Sequence, residues 1–464
     1  MNNKIDASFR DPAGFLYRKD GTLLRQVNDS YATHYEACVA SGLYDRLIAG
    51  NLLIPHAEVD DAGMAPGKYR VLMPEEIPYV SYPYEWSFTQ LKDAALLTLE
   101  IQRVALDHDL SLKDASAYNV QFRGGNAIFI DSLSFERYVE GVPWVAYRQF
   151  CQHFLAPLTL MAAGDLRLRQ LSFRYLDGLP LDLVSNMLPA STWFRYSTFA
   201  HIHMHARSQR KHQDDARARE TIAVSRLSKT MLVALIASLK SAIGKLSAKD
   251  VPTEWGEYYD DTNYSAEAMR HKESLLGRFA DTYLGDVPVV HDLGANTGRF
   301  SRIVAARSRQ VVAHDIDEMA VERHCREIKS QGSANILPLV LDLGNPAPAM
   351  GWDLKERSSF HERARGTAAV ALALVHHLCI TNNVPLDRLA GFFSGVFETL
   401  IIEFVPKEDS QVQRMLATRR DVFDNYDVGS FEQAFSRCFE IRERCPLNES
   451  HRILYAMTRR DMSA

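Results

Sequence analysis

The stretch "VVHDLGANTGRF" (residues 289–300) constrains this chain more than any other. An apolar strand ends in Asp292, and the chain then turns through Gly294 and Gly298 into a helix. Glycines are needed where the backbone turns tightly and where a ligand must approach with no Cβ in the way. Asn296, between them, is one of the few other residues that tolerate a left-handed conformation. The next strand, "QVVAHD", ends in Asp315, about where an acid meets ribose hydroxyls in nucleoside-binding α/β folds.

The surrounding segment continues that alternation. "VPVVHDLG" reads as a strand, "GRFSRIVAARS" as a helix, "QVVAHD" as a strand and "EMAVERHCREIKS" as a helix. "NILPLVLDL", "AAVALALV" and "TLIIEFVP" follow as strands, with the helix "LDRLAGFFSGVF" before the last of them. "FEIRERCPL" and "RILYAMTRR" close the chain as two more strands. Strands alternating with helices predict a parallel sheet covered on both faces.

At 464 residues the chain exceeds one ordinary core, so two or three domains are expected. A net charge of −5 argues against a general nucleic-acid binder, which needs a basic surface. The opening "MNNKIDASFRDPAGF" lacks the basic-then-apolar pattern of a signal peptide. The longest apolar run, "TMLVALIASL" (230–239), lies between Lys229 and Lys240 and is too short to span a bilayer. It reads as one face of a buried helix, and no integral membrane segment is expected. Six scattered cysteines without a CxxC pair suit free thiols in a reducing cytoplasm, so a cytoplasmic location is expected. Oligomeric state is not legible.

A dinucleotide-binding domain would want GxGxxG, whereas the spacing from Asp292 to Gly298 is D-x-G-x-N-x-G. That form resembles motif I of the class I S-adenosylmethionine-dependent methyltransferases. The resemblance covers residues 255–464 and implies a Rossmann-like seven-stranded sheet with S-adenosylmethionine as cofactor. It also implies that Asp292, Gly294, Asn296 and Gly298 form the cofactor turn. Asp315, with Asp317 as a second choice, would bind the ribose, and Asp342 in "LVLDLGNP" would lie near the adenine. "ALALVHHL" (371–378) would be the fourth strand, its end facing the transferred methyl. A hydroxyl acceptor would gain from a base, for which His376 and His377 are candidates, with Glu403 in "IIEF" a further one. An imidazole at a strand end also serves as a hydrogen-bonded structural group. "WGEYYDDTNYS" (255–265) reads either as a cover for cofactor or acceptor or as a packed amphipathic lid.

The first half reads differently. "GFLYRKDGTLLRQV" alternates around Asp20-Gly21, a hairpin signal, and residues 1–80 are strand-rich. From Phe88, "FTQLKDAALLTLEIQRVALDHD" has helical spacing. "LSLKDASAYNVQF" and "NAIFIDSLSF" then present Asp114, Asn119 and Asp131, and 143–205 reads as further helices. This α+β order resembles the protein-kinase-like fold over residues 1–205. It implies that Asp114 orients an acceptor hydroxyl and that Asn119 and Asp131 bind magnesium with ATP. The departures imply a degenerate domain. Leu112-Lys113 precede Asp114, Ser132-Leu133 follow Asp131, no glycine-rich loop is present, and Arg25 is a poor substitute for the phosphate-binding lysine. Asp and Asn capping turns would give a similar loop.

Between the two halves, residues 206–254 read as linker and connecting helix, with "RSQRKHQDDARARE" (207–220) the polar part. His201, His203 and His205 would share a face in a strand but diverge in a helix, and no metal site is expected.

The whole chain resembles a NoeA-like group of bacterial methyltransferases, on "SYPYEWSFTQLKDAALLTL", "LKDASAYN", "FIDSLSFE" and "ALALVHHLCITNNVPL". The likeness implies methyl transfer to a small-molecule, glycan or secondary-metabolite acceptor, with O-methylation favoured. Two alternatives stay open. One is a bifunctional kinase–methyltransferase acting on one acceptor; the other is a non-catalytic regulatory or scaffold protein that binds the cofactor.

Overall fold

The computed structural model describes residues 3–207, 227–253, 265–333, 335–417 and 420–461. The stretch 255–265 and the polar run 207–220 fall almost wholly outside the described residues. The chain divides into two compact units. One holds residues 1–77, 81–249 and 351–357, the other 78–80, 250–350 and 358–464.

The N-terminal unit carries a five-stranded sheet in the order β1-β2-β3-β5-β4. Its strands are β1 (Asn3–Lys4), β2 (Gly14–Lys19), β3 (Thr22–Asn28), β4 (His56–Glu58) and β5 (Lys68–Pro74). Asp20 and Gly21 both have positive φ between Lys19 and Thr22, which face each other in the ladder. That is the two-residue turn whose twist matches the strands. Two helices, Ala32–Ala40 and Leu43–Ala49, interrupt a segment that reads as β in sequence. Gly42, at φ +72, divides them, so neither is long enough to show a clear helical period.

The helix Phe88–Asp107 starts at a capping box: Ser87 Oγ accepts from Gln90 N–H, and the Gln90 side chain accepts from Ser87 N–H at 2.8 Å. The helix Lys229–Gly244 is part of this unit and not a free connector. Lys92 on the long helix donates to the carbonyls of Gly244 and Leu246 at 2.9 and 2.7 Å. After the long helix come β6 (Leu110–Leu112), the hairpin β7 (Val120–Arg123) and β8 (Asn126–Phe129), and β9 (Phe135–Arg137).

The C-terminal unit is built on a seven-stranded sheet. Its strands are β10 (Val290–Leu293), β11 (Val311–Asp315), β12 (Ile336–Val340), β13 (Thr367–Ala371), β14 (Phe397–Phe404), β15 (Phe439–Pro446) and β16 (Ile453–Arg459). Their order is β12-β11-β10-β13-β14-β16-β15. The first five are parallel, and β16 runs antiparallel to both β14 and β15. Successive residues of each strand feed opposite cores. Ala369, Ala371, Leu400 and Ile402 pack on one face; Ala368, Val370 and Ile401 pack on the other. Strand order reverses at β10, which lies between β11 and β13. In open α/β sheets ligands bind outside the carboxyl ends of the strands at such a reversal.

One expected strand is shorter than the sequence suggests. "ALALVHHL" is not a strand through 371–378, because β13 ends at Ala371 and His377–Thr381 form a helical turn. Ala373 adopts φ +50, and its N–H donates to the Glu403 carboxylate at 2.7 Å, so the ladder cannot continue. The apolar run is the same for a buried strand and a buried helical turn.

Candidate functional site at the carboxyl ends of β10, β11 and β13

The turn after β10 is built as its residues require. Gly294 and Gly298 both have φ +80 and Asn296 has φ +51, all left-handed. Gly294 N–H and Ala295 N–H both donate to the carbonyl of His314 on the neighbouring strand, at 2.9 and 2.8 Å. Asn296 N–H donates to Asp315 Oδ2 at 2.7 Å. The Asn296 side chain accepts from Thr297 N–H at 2.7 Å, which stabilises its left-handed backbone locally. Gly298 lies hard against helix Glu318–Gln331, where an added Cβ would fall 1.9 Å from His324 Nε2.

Two buried acids flank this turn. Asp292 accepts from Ser301 Oγ at 2.6 Å, and burial raises its pKa to about 6 against that hydrogen bond. Asp315 is raised to about 6 by burial, although the N–H groups of Asp317 and Asn296 donate to its carboxylate. Asp317 has a different duty. Its Oδ1 caps the following helix by accepting from Met319 and Ala320 N–H at 2.9 and 3.0 Å. Asp342 is exposed two residues beyond β12, with Oδ1 accepting from Gly344 N–H at 2.8 Å.

The histidines follow β13. His376 is buried, and burial, with His377, Arg452 and Lys272 nearby, holds its pKa well below the ordinary histidine value. His377 is half-buried, its ring centroid 4.1 Å from that of His376, and burial lowers its pKa to about 4. Both are neutral imidazoles near neutral pH.

Glu403 is fully buried in an ionic chain. Its Oε2 accepts from Lys272 Nζ and from Ala373 N–H, each at 2.7 Å, while Arg452 Nη1 lies 3.9 Å from Oε1. Arg452 in turn grips Asp409, with contacts of 2.6 and 3.1 Å. Burial depresses the Lys272 ammonium and Glu403 opposes that shift. Lys272 also sits 4.6 Å from the Phe300 ring centroid, just after the glycine turn. Lys272 and Arg452 do not emerge from motif reading. The available signal was a lysine on the apolar stripe Met269–Lys272–Leu276–Phe279 of helix Ala266–Tyr283, which is rare unless the charge is paired.

In the N-terminal unit the three kinase-like positions come together, occupied by protein groups. Asp131 accepts from Leu133 N–H at 3.1 Å and from Ser134 Oγ, and it is paired with Arg25 Nη1 at 2.6 Å. Burial would raise the Asp131 pKa, but Arg25 and these hydrogen bonds hold it below the ordinary value. Asn119 Nδ2 donates to the same Ser134 Oγ at 3.3 Å. Asp114 accepts from Ser116 N–H at 2.9 Å and from Gln149 Nε2 at 2.8 Å. His201 and His203 lie in a helical turn, Phe199–His203. His203 is stacked on Trp193 and hydrogen-bonded with Ser185 and Thr192, whereas His201 pairs with Tyr147.

No protein-family model matches the chain. It is 34% identical over 469 residues to the nodulation protein NoeA of Rhizobium meliloti (strain 1021), covering 98% of this chain and 96% of NoeA. Among solved structures, the N-methyltransferase NodS of Bradyrhizobium japonicum WM9 is similar at 13% identity and a TM-score of 0.32. That match covers 42% of this chain and 97% of NodS. The magnesium protoporphyrin IX methyltransferase ChlM of Synechocystis PCC 6803 is similar at 13% identity and a TM-score of 0.30, over 44% of this chain and 91% of ChlM. These structural likenesses are too low to carry chemistry across. With 34% identity to NoeA across nearly the full length of both chains, the chain belongs to the NoeA family.

Proposed function

We propose that the chain is an S-adenosylmethionine-dependent methyltransferase whose cofactor site is the turn after β10. The observation that carries this is the left-handed turn Gly294–Asn296–Gly298, bonded through Asn296 N–H to Asp315 at 2.7 Å. The donor set fits an adenosyl group. Asp315 is an acid at the end of β11 with acceptor capacity for a ribose diol, and the Gly294 backbone is exposed beside it. Asp292, Gly294, Asn296, Gly298 and Asp315 would hold the cofactor. Asp342 would meet the adenine, and Asp317 would support the site through its helix cap.

When bound, the cofactor supplies an already electrophilic methyl, so positioning the acceptor accounts for much of the rate. The acceptor we propose is a hydroxyl of a small molecule, glycan or secondary metabolite. That class includes a cell-surface glycan or lipo-oligosaccharide. His377 is the base we favour. It is half-buried next to buried His376 and presents a neutral ring near pH 7, although burial, which lowers its pKa to about 4, makes it a weaker base than an ordinary histidine. Glu403, already ion-paired, has less capacity for that role.

Titration calorimetry with S-adenosylmethionine tests the reading, with binding expected in the intact protein and lost in Asp292→Ala. Labelled cofactor incubated with cell extracts then identifies the methylated product. Binding without transfer to any fraction would favour a non-catalytic regulatory role. In the N-terminal unit the Arg25–Asp131 pair weighs against phosphotransfer, because Arg25 already neutralises the acid a magnesium ion would need. Magnesium-dependent ATP turnover that disappears in Asp131→Ala would restore the bifunctional reading.

A further inference from the structure

Ala373 is an anomaly at a sensitive place. It follows the last paired residue of β13 by two positions and holds φ +50 without being glycine. A left-handed conformation is strained for a residue that carries a side chain, so something must hold it there. The holder is visible. Strands β13 and β14 pair as far as Ala371 opposite Ile402, and Glu403 is the next residue of β14. Its carboxylate reaches back over the end of β13 and accepts the Ala373 N–H at 2.7 Å.

Glu403 is itself fixed. Lys272 bonds the same Oε2 from helix Ala266–Tyr283, and Arg452 lies on the other oxygen with Asp409 behind it. Two cations and two carboxylates, nearly all fully buried, match in number, and the Glu403 carboxylate acts as the acceptor among them. The turn it shapes leads to Leu374, whose side chain would lie 3.5 Å from a Cβ built on Gly294. The segment held by Glu403 thus lies against the glycine turn after β10 and continues into His376 and His377.

We infer that Glu403, oriented by Lys272 and Arg452, is a positioning residue that clamps the Ala373 turn in its left-handed form. It thereby sets the wall of the cofactor turn and the placement of the two histidines. The inference rests on the methyltransferase reading for its functional meaning, but the clamp can be measured without cofactor.

Hydrogen exchange by mass spectrometry on the full chain reads the amides of 372–380 in wild type, Glu403→Gln and Glu403→Gln/Ala373→Gly. One left-handed residue's strain corresponds to about tenfold faster exchange there in Glu403→Gln. The added glycine, which adopts positive φ freely, should return most of that protection. Affinity for S-adenosylhomocysteine by calorimetry should fall in the single variant and recover in the double. A merely structural Glu403 would lose global stability with no rescue from a glycine in another loop. Wild-type exchange in Glu403→Gln, or a folded double variant with no recovery, overturns the clamp. If Glu403→Gln does not fold, Ala373→Gly alone decides. Slower exchange at 372–376 with a raised Tm supports the clamp, and faster exchange overturns it. Absent S-adenosylhomocysteine binding in wild type would count against the methyltransferase reading and leave the exchange result standing.

Discussion

Asn296 N–H donates to Asp315 Oδ2 at 2.7 Å, and this bond ties the turn after β10 to the end of β11. One residue offers a left-handed backbone and the other a buried carboxylate, so the contact fixes both walls of the candidate cofactor site. Asp315→Ala removes the acceptor and leaves the Asn296 amide without it. A hydrogen bond to a charged group is worth about 1.5–3 kcal/mol, so S-adenosylhomocysteine affinity should fall at least about tenfold. Calorimetry checks this; unchanged affinity would displace Asp315 from the site.

Cofactor affinity should depend on pH through the two raised acids. If the ribose is held by ionised Asp315, with its pKa at about 6, a proton must leave before binding below that pH. Affinity for S-adenosylhomocysteine should be nearly flat from pH 7 to 8 and fall about tenfold on going from pH 7 to 5. A flat calorimetric profile down to pH 5 would contradict a role for the carboxylate form.

Gly298 has no room for a side chain. Its φ of +80 already disfavours other residues, and a Cβ would overlap the His324 ring at 1.9 Å. Gly298→Ala should cost about 2 kcal/mol or more in stability, as overpacking with backbone strain does. Gly298→Ala/His324→Ala should recover only the steric part. Chemical denaturation of the three proteins separates the two contributions.

The buried histidines make the C-terminal unit acid-sensitive. His291 and His324 are lowered to about 3 by burial, and His314 and His376 lie well below their ordinary value. Below about pH 6.5 the unfolded chain takes up protons that these folded residues refuse, so stability falls as pH falls. Each contributes up to about 1.4 kcal/mol per pH unit. Asp292 and Asp315, raised to about 6, act in the opposite sense, because the folded state holds their protons more tightly as pH drops from about 6. Four histidines outweigh two carboxylates. A Tm that drops between pH 7 and 5, and drops less in His291→Leu/His314→Leu, is the expected result.

In the N-terminal unit, Arg25→Ala leaves Asp131 buried and without its cation. Breaking one side of such a pair costs about 3 kcal/mol or more. Urea unfolding of Arg25→Ala against Arg25→Lys, which retains a positive charge, should show the larger loss in the alanine variant.

The sequence determined what depends on neighbours along the chain. The Asp20-Gly21 hairpin, the strand–glycine–helix turn at 289–300 and the acids near the ends of β10 and β11 all rest on spacings of a few residues. Tertiary structure decided what depends on groups far apart. Lys272 and Glu403 are separated by 131 positions, and no periodicity links them. Their pairing exists because a helix before the sheet and the fifth strand of the sheet meet at its carboxyl edge. For the same reason the apolar run after Thr367 stops being a strand at Ala371: Glu403 takes the Ala373 N–H that a continuing ladder would have used. Burial completes the division. The sequence names the carboxylates and imidazoles, but only the packed interior sets which of them carry charge near pH 7.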